Sequence, residues 1–328
     1  MSERMLDGVT ASGRRESRRP VWLYGFGRAL RRFMARKRLG AVGLVIVVFF
    51  MFLAAFAGPL GRHDPDLIFD RANSNFKSNP SVAELAVNSN IGSPRIVDQF
   101  MAPSGDHWFG TDKFGRDIYA RVVHGSRLSL MVGLGASFLT VGAGLLIGVT
   151  SAYYLGWYDL LVQRLVDALQ AFPALVLLLL IVQIAEPSAR NTVIALGVIG
   201  IPIGTRLIRS ATLGVREADY ILAARASGAS DLRLMLRHVL PNIASVVLIA
   251  FSIGIGAFIL FEATISFLGV GPRNVVSWGK MIQEGRGAMD LHPELTVFAG
   301  GAIVLLVVGF NFLGDALRDV LDPRLRGT

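Results

Sequence analysis

The amino-acid sequence predicts an all-α polytopic membrane protein with six transmembrane helices. Of its 328 residues, 52% are hydrophobic and 17% are charged, and the mean hydropathy is +0.52. A soluble chain of this length carries more charge and fewer apolar residues. The apolar residues are also gathered into runs of about 20, the length that a helix needs to cross the hydrocarbon core of a bilayer. Cysteine is absent, which excludes disulfides and thiolate metal sites.

The first predicted span is 39–60, with the sequence LGAVGLVIVVFFMFLAAFAGPL, and a basic tail, 1–38, precedes it. Eleven of the 33 Lys and Arg residues lie in this tail. Basic residues beside a span usually stay in the cytoplasm, so the tail is predicted to be cytoplasmic. This placement explains much of the net charge of +9 without a nucleic-acid partner. A cleaved signal peptide is the alternative, but its apolar core is shorter, about 7 to 15 residues.

The next segment, 61–125, is predicted to lie outside the cytoplasm as a loop or small cap. Within it, 71–103 is rich in Asn and Ser and shows little hydrophobic periodicity, so the sequence assigns it no role. Long loops cross the membrane largely regardless of their charge. The basic residues of this segment therefore do not contradict the assignment.

A five-helix core is predicted at 126–317, followed by a cytoplasmic tail at 318–328. Its spans are expected at 128–153, 167–185, 191–208, 243–268 and 295–313. Pro173 and Pro202 are expected to kink or start helices. With the basic tail inside, the connection between the fourth and fifth spans also lies inside, and it is itself rich in arginine.

That connection contains an amphipathic, basic stretch, 217–242, with the sequence EADYILAARASGASDLRLMLRHVLPN. It predicts two short helices joined at Gly228, which suits the left-handed conformation that ends a helix. Ser230 or Asp231 is expected to cap the second helix and Pro241 to end it. One face of the second helix is predicted to be apolar and the opposite face basic: Leu232, Met235, Leu236, Val239 and Leu240 against Arg233 and Arg237. Such a hairpin either lies on anionic lipid or presents a knob to a partner.

The motif LAARASG followed by HVLPN resembles the EAA-type loop of binding-protein-dependent ABC importer permeases. That family's pattern is Glu-Ala-Ala, three residues, Gly, and Leu-Pro further on, and Leu222 stands here at the Glu position. The resemblance implies a set of ATPase-coupling residues: Leu222, Ala223, Ala224, Arg225, Gly228, Leu240 and Pro241. Small side chains at such a joint permit the close approach of a partner.

Three further stretches narrow the resemblance to the peptide and nickel importer permeases: 107–130 (HWFGTDKFGRDIYARVVHGSRLSL), 261–272 (FEATISFLGVGP) and 311–326 (NFLGDALRDVLDPRLR). The basic tail, the early first span and the long outer loop resemble the second, C-type permease subunit of that family. The resemblance runs from about Arg31 to Arg326. It implies the type I ABC importer permease fold.

The resemblance also implies the setting in which the chain works. We expect a multi-pass subunit of the bacterial inner membrane with both termini in the cytoplasm, which moves solutes by alternating access and is not an enzyme. Its expected partners are a second homologous permease subunit, two cytoplasmic ATPase subunits, an extracytoplasmic solute-binding protein and membrane lipid. ATP and Mg are expected in the ATPases and no cofactor in this chain, which lacks the phosphate loop GxxxxGK[ST]. Di- or oligopeptides are the expected cargo, with nickel chelates and glutathione as alternatives.

Glu262 is the one acidic residue predicted inside the fifth span. An ionisable group at membrane depth is costly and usually faces a cavity or a partner, which predicts a place in an outer gate or pathway. The alternative is a hydrated position near the outer interface.

The motif GTDKFGRD places Asp112 and Asp117 beside Lys113 and Arg116, and it predicts a turn with charge pairs rather than a cation site. His107 and His124 are few and far apart, and neither has a close His, Asp or Glu at helical ligand spacing, so no metal site is predicted. The stretch 157–173 is expected to pack as a helix with surface ion pairs, or to form a second, smaller coupling contact.

Two other functional classes need features that the sequence does not supply. A self-sufficient ion-coupled carrier or channel needs ionisable or broken-helix sites at the midplane of several spans. Apart from Glu262, the predicted spans are nearly uncharged in their interiors. An intramembrane enzyme needs a nucleophile with a base, or a metal cluster, and the sequence assembles neither.

Overall fold

The computed structural model describes residues 37–66 and 99–321, with the backbone alone at 321. Every helix and turn of helix in these ranges is as follows: α1 Arg38–Ala55, α2 Ala57–Leu60, α3 Ile118–Tyr154, α4 Gly156–Gln170, α5 Ala174–Ile184, α6 Ala189–Arg216, α7 Asp219–Ala226, α8 Asp231–Leu234, a π-helical turn Met235–Val239, α9 Leu240–Phe267, α10 Trp278–Gly285, a 3₁₀ turn Arg286–Ala288 and α11 Glu294–Leu321. The predictions for 1–36, for most of 71–103 and for 322–328 fall outside the described residues.

Five helices of the described chain are long and apolar enough to cross a membrane: α1, α3, α6, the continuous run Asp231–Phe267, and α11. They contain or overlap five of the six predicted spans. The helix α3 begins well before 128, because the Asp117 carboxylate caps it and accepts a hydrogen bond from the Ala120 amide at 2.7 Å. With 37 residues, α3 is about 55 Å long and extends beyond a hydrocarbon core of about 30 Å.

The third predicted span, 167–185, is not one helix. Instead α4 and α5 meet at an angle of 83°. Pro173 is the N-cap of α5, and a proline disfavours the helical conformation in the residue before it, so α4 ends at Gln170. The 11 residues of α5 are about 16 Å long, too short to cross a bilayer core alone. A sixth crossing therefore exists only if α4 and α5 together form a broken span.

Glycine allows the two central helices, α3 and α6, to approach closely. A Cβ atom on Gly144 would lie 2.9 Å from the Gly204 backbone, and one on Gly148 would lie 2.8 Å from the carbonyl oxygen of Thr205. Small residues at helix crossings are typical of membrane proteins, where packing rather than water drives association. Pro202 lies inside α6, which continues past it.

A second packing centre surrounds Trp278, the first residue of α10, which is fully buried between α1, α3, α9 and α11. Its indole N–H donates to the Val122 carbonyl at 2.9 Å, and Gly125 leaves room for the ring. This fixes α10 beside the start of α3. We call this the loop end of the molecule, and the opposite end, where α3 finishes beside 217–242, the hairpin end.

Candidate functional site

The hairpin turns at Gly228, as predicted. Gly228 has a φ of +84°, and its amide donates to the Arg225 carbonyl at 2.9 Å, while the Ala229 amide donates to the Ala224 carbonyl at 3.1 Å. These two bonds form a Schellman motif, which satisfies the last carbonyls of α7. Gly228 is exposed, and a Cβ added there would meet no neighbour within 4 Å. The turn is therefore ordered locally and open on its outer side.

The inner face of the hairpin is anchored on the ends of α3 and α6. Four of its side chains are buried in a cluster with Val149, Tyr153 and Ile208, namely Ile221, Leu234, Met235 and Val239. The Tyr153 hydroxyl donates to the Asp231 carboxylate at 2.6 Å, and Arg225 donates to that hydroxyl at 3.0 Å. The Arg225 guanidinium also lies over the Tyr153 ring, 5.4 Å from its centroid. Any movement of α7 and α8 is therefore linked to α3.

The outer face of the hairpin carries exposed leucines and arginines. Leu222, Leu232 and Leu236 are 51%, 63% and 56% exposed. Arg233 and Arg237 are exposed beside them. Leucine at this exposure on a projecting hairpin is typical of a surface that binds another protein or a membrane. The arginines add a positive charge to that surface.

Two details of the predicted hairpin are wrong. Met235 and Val239 are buried as predicted and Leu240 packs on the same cluster, but Leu232 and Leu236 are exposed and Leu234 is buried instead. The predicted spacing assumes a regular α-helix, whereas Met235–Val239 forms a wider π-helical turn. The second detail is that Pro241 does not end the helix.

The π turn explains why the chain passes Pro241 without a break. The Leu240 amide donates to the Met235 carbonyl, five residues earlier. This places the widened turn immediately before the proline, whose missing N–H would interrupt an ordinary α-helix. The side-chain amide of Asn242 donates to the His238 carbonyl at 2.6 Å. The hairpin is therefore directly continuous with α9.

Side-chain caps were also expected at Ser230 or Asp231. Ser230 occupies the N-cap position, but neither side chain caps the helix.

The predicted coupling residues divide between the two faces. Leu222, Ala223, Gly228 and Pro241 are exposed, whereas Ala224 and Leu240 pack against the buried cluster. Arg225 is exposed as a residue, and its guanidinium donates to the Tyr153 hydroxyl. The exposed members lie on one continuous projection with Leu232 and Leu236. The role of this set in coupling remains a prediction.

The helix α4 lies next to the hairpin end and forms the surface ion pairs expected of 157–173. Asp159 receives two hydrogen bonds from the Arg209 guanidinium of α6, at 2.7 and 2.6 Å. Asp167 pairs with Arg206 and lies 3.9 Å from Arg164. These pairs hold α4 against α6 while several of its apolar residues, including Trp157, Leu161 and Leu165, remain exposed. The exposed side of α4 therefore adds apolar surface beside the hairpin.

The loop end contains a buried network of charges. The Arg116 guanidinium contacts Asp112 at 2.7 Å and Glu284 of α10 at 2.6 Å, and Arg121 donates to the same Glu284 oxygen at 3.2 Å. Burial opposes the charge on Arg116, but Asp112 and Glu284 outweigh it and raise the pKa of Arg116 above its ordinary value. The prediction of a turn with charge pairs is confirmed here, and Glu284 is a partner that the local sequence did not indicate.

Glu262 is fully buried, so the predicted hydrated alternative is wrong. Its Oε1 atom accepts hydrogen bonds from Ser266 at 2.7 Å and from Ser277 at 2.8 Å. Ser277 is also the N-cap of α10. Glu262 therefore ties the end of α9 to the start of α10, and a gate role for it remains a prediction.

An apolar cavity of about 240 Å³ lies between α3, α5, α6 and α9. Ser137 and Thr140 supply the hydroxyl groups among its lining residues, and Gly200, Gly204 and Gly254 line it without side chains. Glu262 does not line it, although the neighbouring Phe261 does. The cavity can accept apolar groups without offering a fixed charge.

Comparison with known proteins identifies the family. The family model described as the inner membrane component of binding-protein-dependent transport systems matches residues 144–327. The chain belongs to this family. The match covers the last part of α3, the hairpin and the remaining helices, so the permease family is recognised over the region in which the candidate coupling site lies.

Two relatives match almost the whole permease. It is 36% identical over 294 residues to the dipeptide transport system permease protein DppC of Alkalihalophilus pseudofirmus, covering 89% of this chain and 88% of that protein. It is 36% identical over 298 residues to the glutathione transport system permease protein GsiD of Escherichia coli strain 536, covering 90% of each. The resemblance to the C-type permease subunit of peptide importers is confirmed.

A solved structure supports the fold. An inward-facing structure of the MetNI methionine ABC transporter matches with a TM-score of 0.54 and 19% identity, covering 61% of this chain and 96% of that one. The type I importer permease fold is therefore confirmed. The chain is the membrane-spanning permease component of an ABC import system and a multi-pass inner membrane protein. The rival carrier and intramembrane enzyme hypotheses are set aside.

The sequence did not indicate which residues hold the hairpin in place. Tyr153 was predicted only as the end of a span, and Ile221 only as part of an amphipathic stretch. The aromatic residue at the end of α3 was visible, but its contact with Asp231 joins segments far apart in the chain. No local pattern reveals such a contact.

Proposed function

We propose that this permease imports di- or oligopeptides or similar small solutes by alternating access. The cargo is supported by the names of the relatives, one a dipeptide and one a glutathione transport permease. The apolar, uncharged cavity between α3, α5, α6 and α9 suits a pathway of low selectivity. A binding protein that has already selected the cargo leaves the permease little need for specific contacts.

The hairpin is the proposed docking site for an ATPase subunit. The observation that carries this proposal is the combination of a buried inner face and an exposed outer face bearing Leu222, Leu232 and Leu236. A hairpin that merely packed on its own chain would bury these leucines. The rigid link through Tyr153 to α3 gives a partner a means of moving the central helices.

Because Leu222 stands at the Glu position of the family pattern, the expected contact with the ATPase changes. With Leu222 at that position, half exposed, the first helix of the hairpin offers an apolar contact in place of a carboxylate. We expect the groove of the partner to be correspondingly apolar at this point. Arg233 and Arg237 would supply the polar rim.

The basic tail supports the orientation. With 1–38 in the cytoplasm, the hairpin end faces the cytoplasm, where two ATPases would bind ATP and Mg and supply the energy, and this chain would bind neither. The C-terminal tail would also be cytoplasmic. The loop end would face the solute-binding protein, and a second homologous permease subunit would complete the pathway across the cavity-bearing face.

The mechanism follows from these positions. Closure of the two ATPases on ATP would move the hairpins together, and the rigid connection to α3 and α9 would transmit this motion to the spans. The pathway would then open toward the binding protein, and hydrolysis would reset it. Glu262, which fixes α10 to α9, is placed to hold the outer side during this change.

The test is co-purification from native membranes with an affinity tag, comparing wild type, Gly228→Asp and Gly105→Asp. Aspartate adopts positive φ more readily than most residues with a side chain, so the first variant adds a charge to the exposed side of the turn at a modest cost in strain. Gly105 is an exposed glycine at the loop end with open space around it, which makes it a matched control.

We expect the ATPase recovered with wild type and with Gly105→Asp to fall at least about tenfold with Gly228→Asp, which corresponds to about 1.4 kcal/mol. Equal recovery with all three proteins would show that the hairpin does not bind the ATPase. Uptake of labelled dipeptide by the same strains tests the cargo separately. Retained ATPase without peptide uptake by wild type would contradict the cargo alone.

A further inference from the structure

Two histidines and an aspartate from separate segments meet at the loop end. His63 follows α2, His107 lies in the loop before α3, and Asp117 is the N-cap of α3. The Nδ1 atom of His107 lies 2.7 Å from Oδ2 of Asp117, and Nδ1 of His63 lies 3.6 Å from the same oxygen. One ligand atom from each residue lies within 4.8 Å of the others. The chain thus gathers three potential metal ligands around one point.

The turn that carries His63 is fixed on the loop that carries His107. Arg62 has a φ of +58°, a strained conformation for a residue with a side chain. Its guanidinium donates to the Gly105 carbonyl at 3.1 Å and lies over the Trp108 ring, 4.7 Å from its centroid. These contacts hold Arg62 and the adjacent His63 against the loop. The meeting of the two histidines is therefore built by specific interactions.

Asp117 and His107, the other two potential ligands, are also held in place by hydrogen bonds to residues outside the cluster. Asp117 uses Oδ1 to cap α3, which leaves Oδ2 directed at the two imidazoles. The backbone amide of His107 donates to the Ser104 hydroxyl at 3.1 Å, and its carbonyl accepts from Ser104 and Gly110. The bond at Asp117 orients the carboxylate, as hydrogen bonds to metal-ligating side chains commonly do, and the bonds at His107 fix the backbone of the loop that carries it.

We propose that His63, His107 and Asp117 bind a divalent transition metal ion, with Zn²⁺ as the best fit. Bonds of about 2.0 to 2.2 Å in a tetrahedral arrangement separate neighbouring ligand atoms by about 3.3 to 3.5 Å. The observed separations of 2.7 and 3.6 Å from Oδ2 bracket this value. Imidazole nitrogen and carboxylate oxygen are ligands that zinc accepts, and magnesium and calcium would require more oxygen.

Binding needs the neutral tautomer of His107 that carries its proton on Nε2, so that Nδ1 offers a lone pair to the ion, and otherwise only small shifts. The 2.7 Å contact between His107 and Asp117 would open by several tenths of an ångström to admit the ion. The side chains of His107 and Asp117 are 7% and 2% exposed, whereas that of His63 is 25% exposed. The open side at His63 gives the ion an entry path and room for a water molecule as fourth ligand.

The ion would link His63, which follows the first span, to His107 and Asp117, which precede the second. Because His63 and His107 are far apart in sequence, a bond between them closes a long segment of chain. A ligand that binds only the folded state stabilises it by mass action. Zinc is thus expected to raise the unfolding temperature of the loop end.

The test uses the full-length protein isolated in detergent with its accompanying subunits, as wild type and as His63→Ala, Asp117→Asn and His292→Ala. Asparagine can still cap α3, so Asp117→Asn removes the charge and not the helix start. His292 is a histidine of the same end whose ring stacks on Phe100, outside the cluster. Each protein is stripped with a chelator, dialysed against Zn²⁺ and assayed for bound metal and for thermal unfolding.

We expect wild type and His292→Ala to retain one more Zn²⁺ per chain than His63→Ala and Asp117→Asn. The affinity of the latter two should fall at least about tenfold. Zn²⁺ should raise the unfolding temperature only of the proteins that retain the ion. Equal metal content in all four proteins, or loss in only one of the two cluster variants, would overturn the three-ligand site and leave a hydrogen-bonded His–Asp pair.

Discussion

Arginine residues are buried and paired with carboxylates at the loop end of the permease but exposed at the hairpin end. At the loop end, Asp112, Arg116 and Arg121 are buried and paired with one another and with Glu284. At the hairpin end, Arg233 and Arg237 are exposed beside exposed leucines. Buried charges require fixed partners because an unpaired one is costly, so the loop end has one stable arrangement. The exposed hairpin keeps its outer face available to a partner.

The difference extends to how each end is connected to the spans. The loop end is tied through several contacts, including Glu262 with Ser277 and Trp278 with Val122. The hairpin relies on a small buried cluster and on the hydroxyl of Tyr153. The loss of one polar contact at the hairpin leaves the buried cluster in place, so the hairpin stays attached to α3 and α6. We therefore expect loss of stability to be large at the loop end and small at the hairpin end.

The largest effect is expected from Asp112→Ala. The change removes the partner of Arg116 and the acceptor of the Phe114 and Arg116 amides, leaving two buried guanidinium groups with Glu284 as the main anion. The free energy of unfolding, measured by denaturant titration in detergent, should fall by about 3 to 5 kcal/mol. The exposed Asp106 in the same loop is the control, and Asp106→Ala should change it by less than about 0.5 kcal/mol. Similar losses for both variants would show that the network is not what stabilises this end.

An intermediate effect is expected from Glu262→Ala. It removes the shared acceptor of the buried Ser266 and Ser277 hydroxyls and should lower the free energy of unfolding by about 2 kcal/mol. Glu262→Gln retains a side-chain carbonyl oxygen at the same position and should cost clearly less. If glutamine proved as damaging as alanine, the acceptor role inferred for Oε1 would be wrong.

The smallest effect on stability is expected from Tyr153→Phe. The loss of the hydroxyl breaks the hydrogen bonds to Asp231 and Arg225 and should lower the free energy of unfolding by about 1 kcal/mol. The main consequence should be local, with faster hydrogen exchange of the amides in 219–240. Tyr154→Phe, on a half-exposed neighbour, provides the comparison. Unchanged exchange in Tyr153→Phe would mean that the apolar cluster alone anchors the hairpin.

Local patterns predicted the parts of the hairpin that depend on near neighbours. Gly228 was expected to adopt a left-handed conformation and does so, because the requirement comes from the end of α7 itself. The apolar face of the second helix was predicted correctly at Met235 and Val239 but not at Leu232 and Leu236, which are exposed. The predicted spacing assumes an unbroken α-helix, and Met235–Val239 forms a π turn. Pro241 was read as a helix end for the same reason.

The third predicted span shows a second kind of feature that the sequence does not predict. The segment is long and apolar enough to cross a membrane when α4 and α5 are taken together. Hydropathy does not show the direction of a helix axis, and the turn at Pro173 bends the chain by 83°. The proposed metal cluster was not predicted from the sequence for a related reason. His107 was judged by its sequence neighbours, whereas His63 reaches it only when Arg62 docks on the loop.

The sequence by itself determined that this chain is a helical membrane protein, where its long spans lie, and where a Gly-centred hairpin interrupts them. Composition and short-range spacing carry this information because the bilayer and the helix impose it residue by residue. The tertiary structure alone decided which face of the hairpin is exposed, which charges are buried together and that His63, His107 and Asp117 share one point. These outcomes depend on contacts between distant segments, which the packing of α3, α6 and α10 brings about.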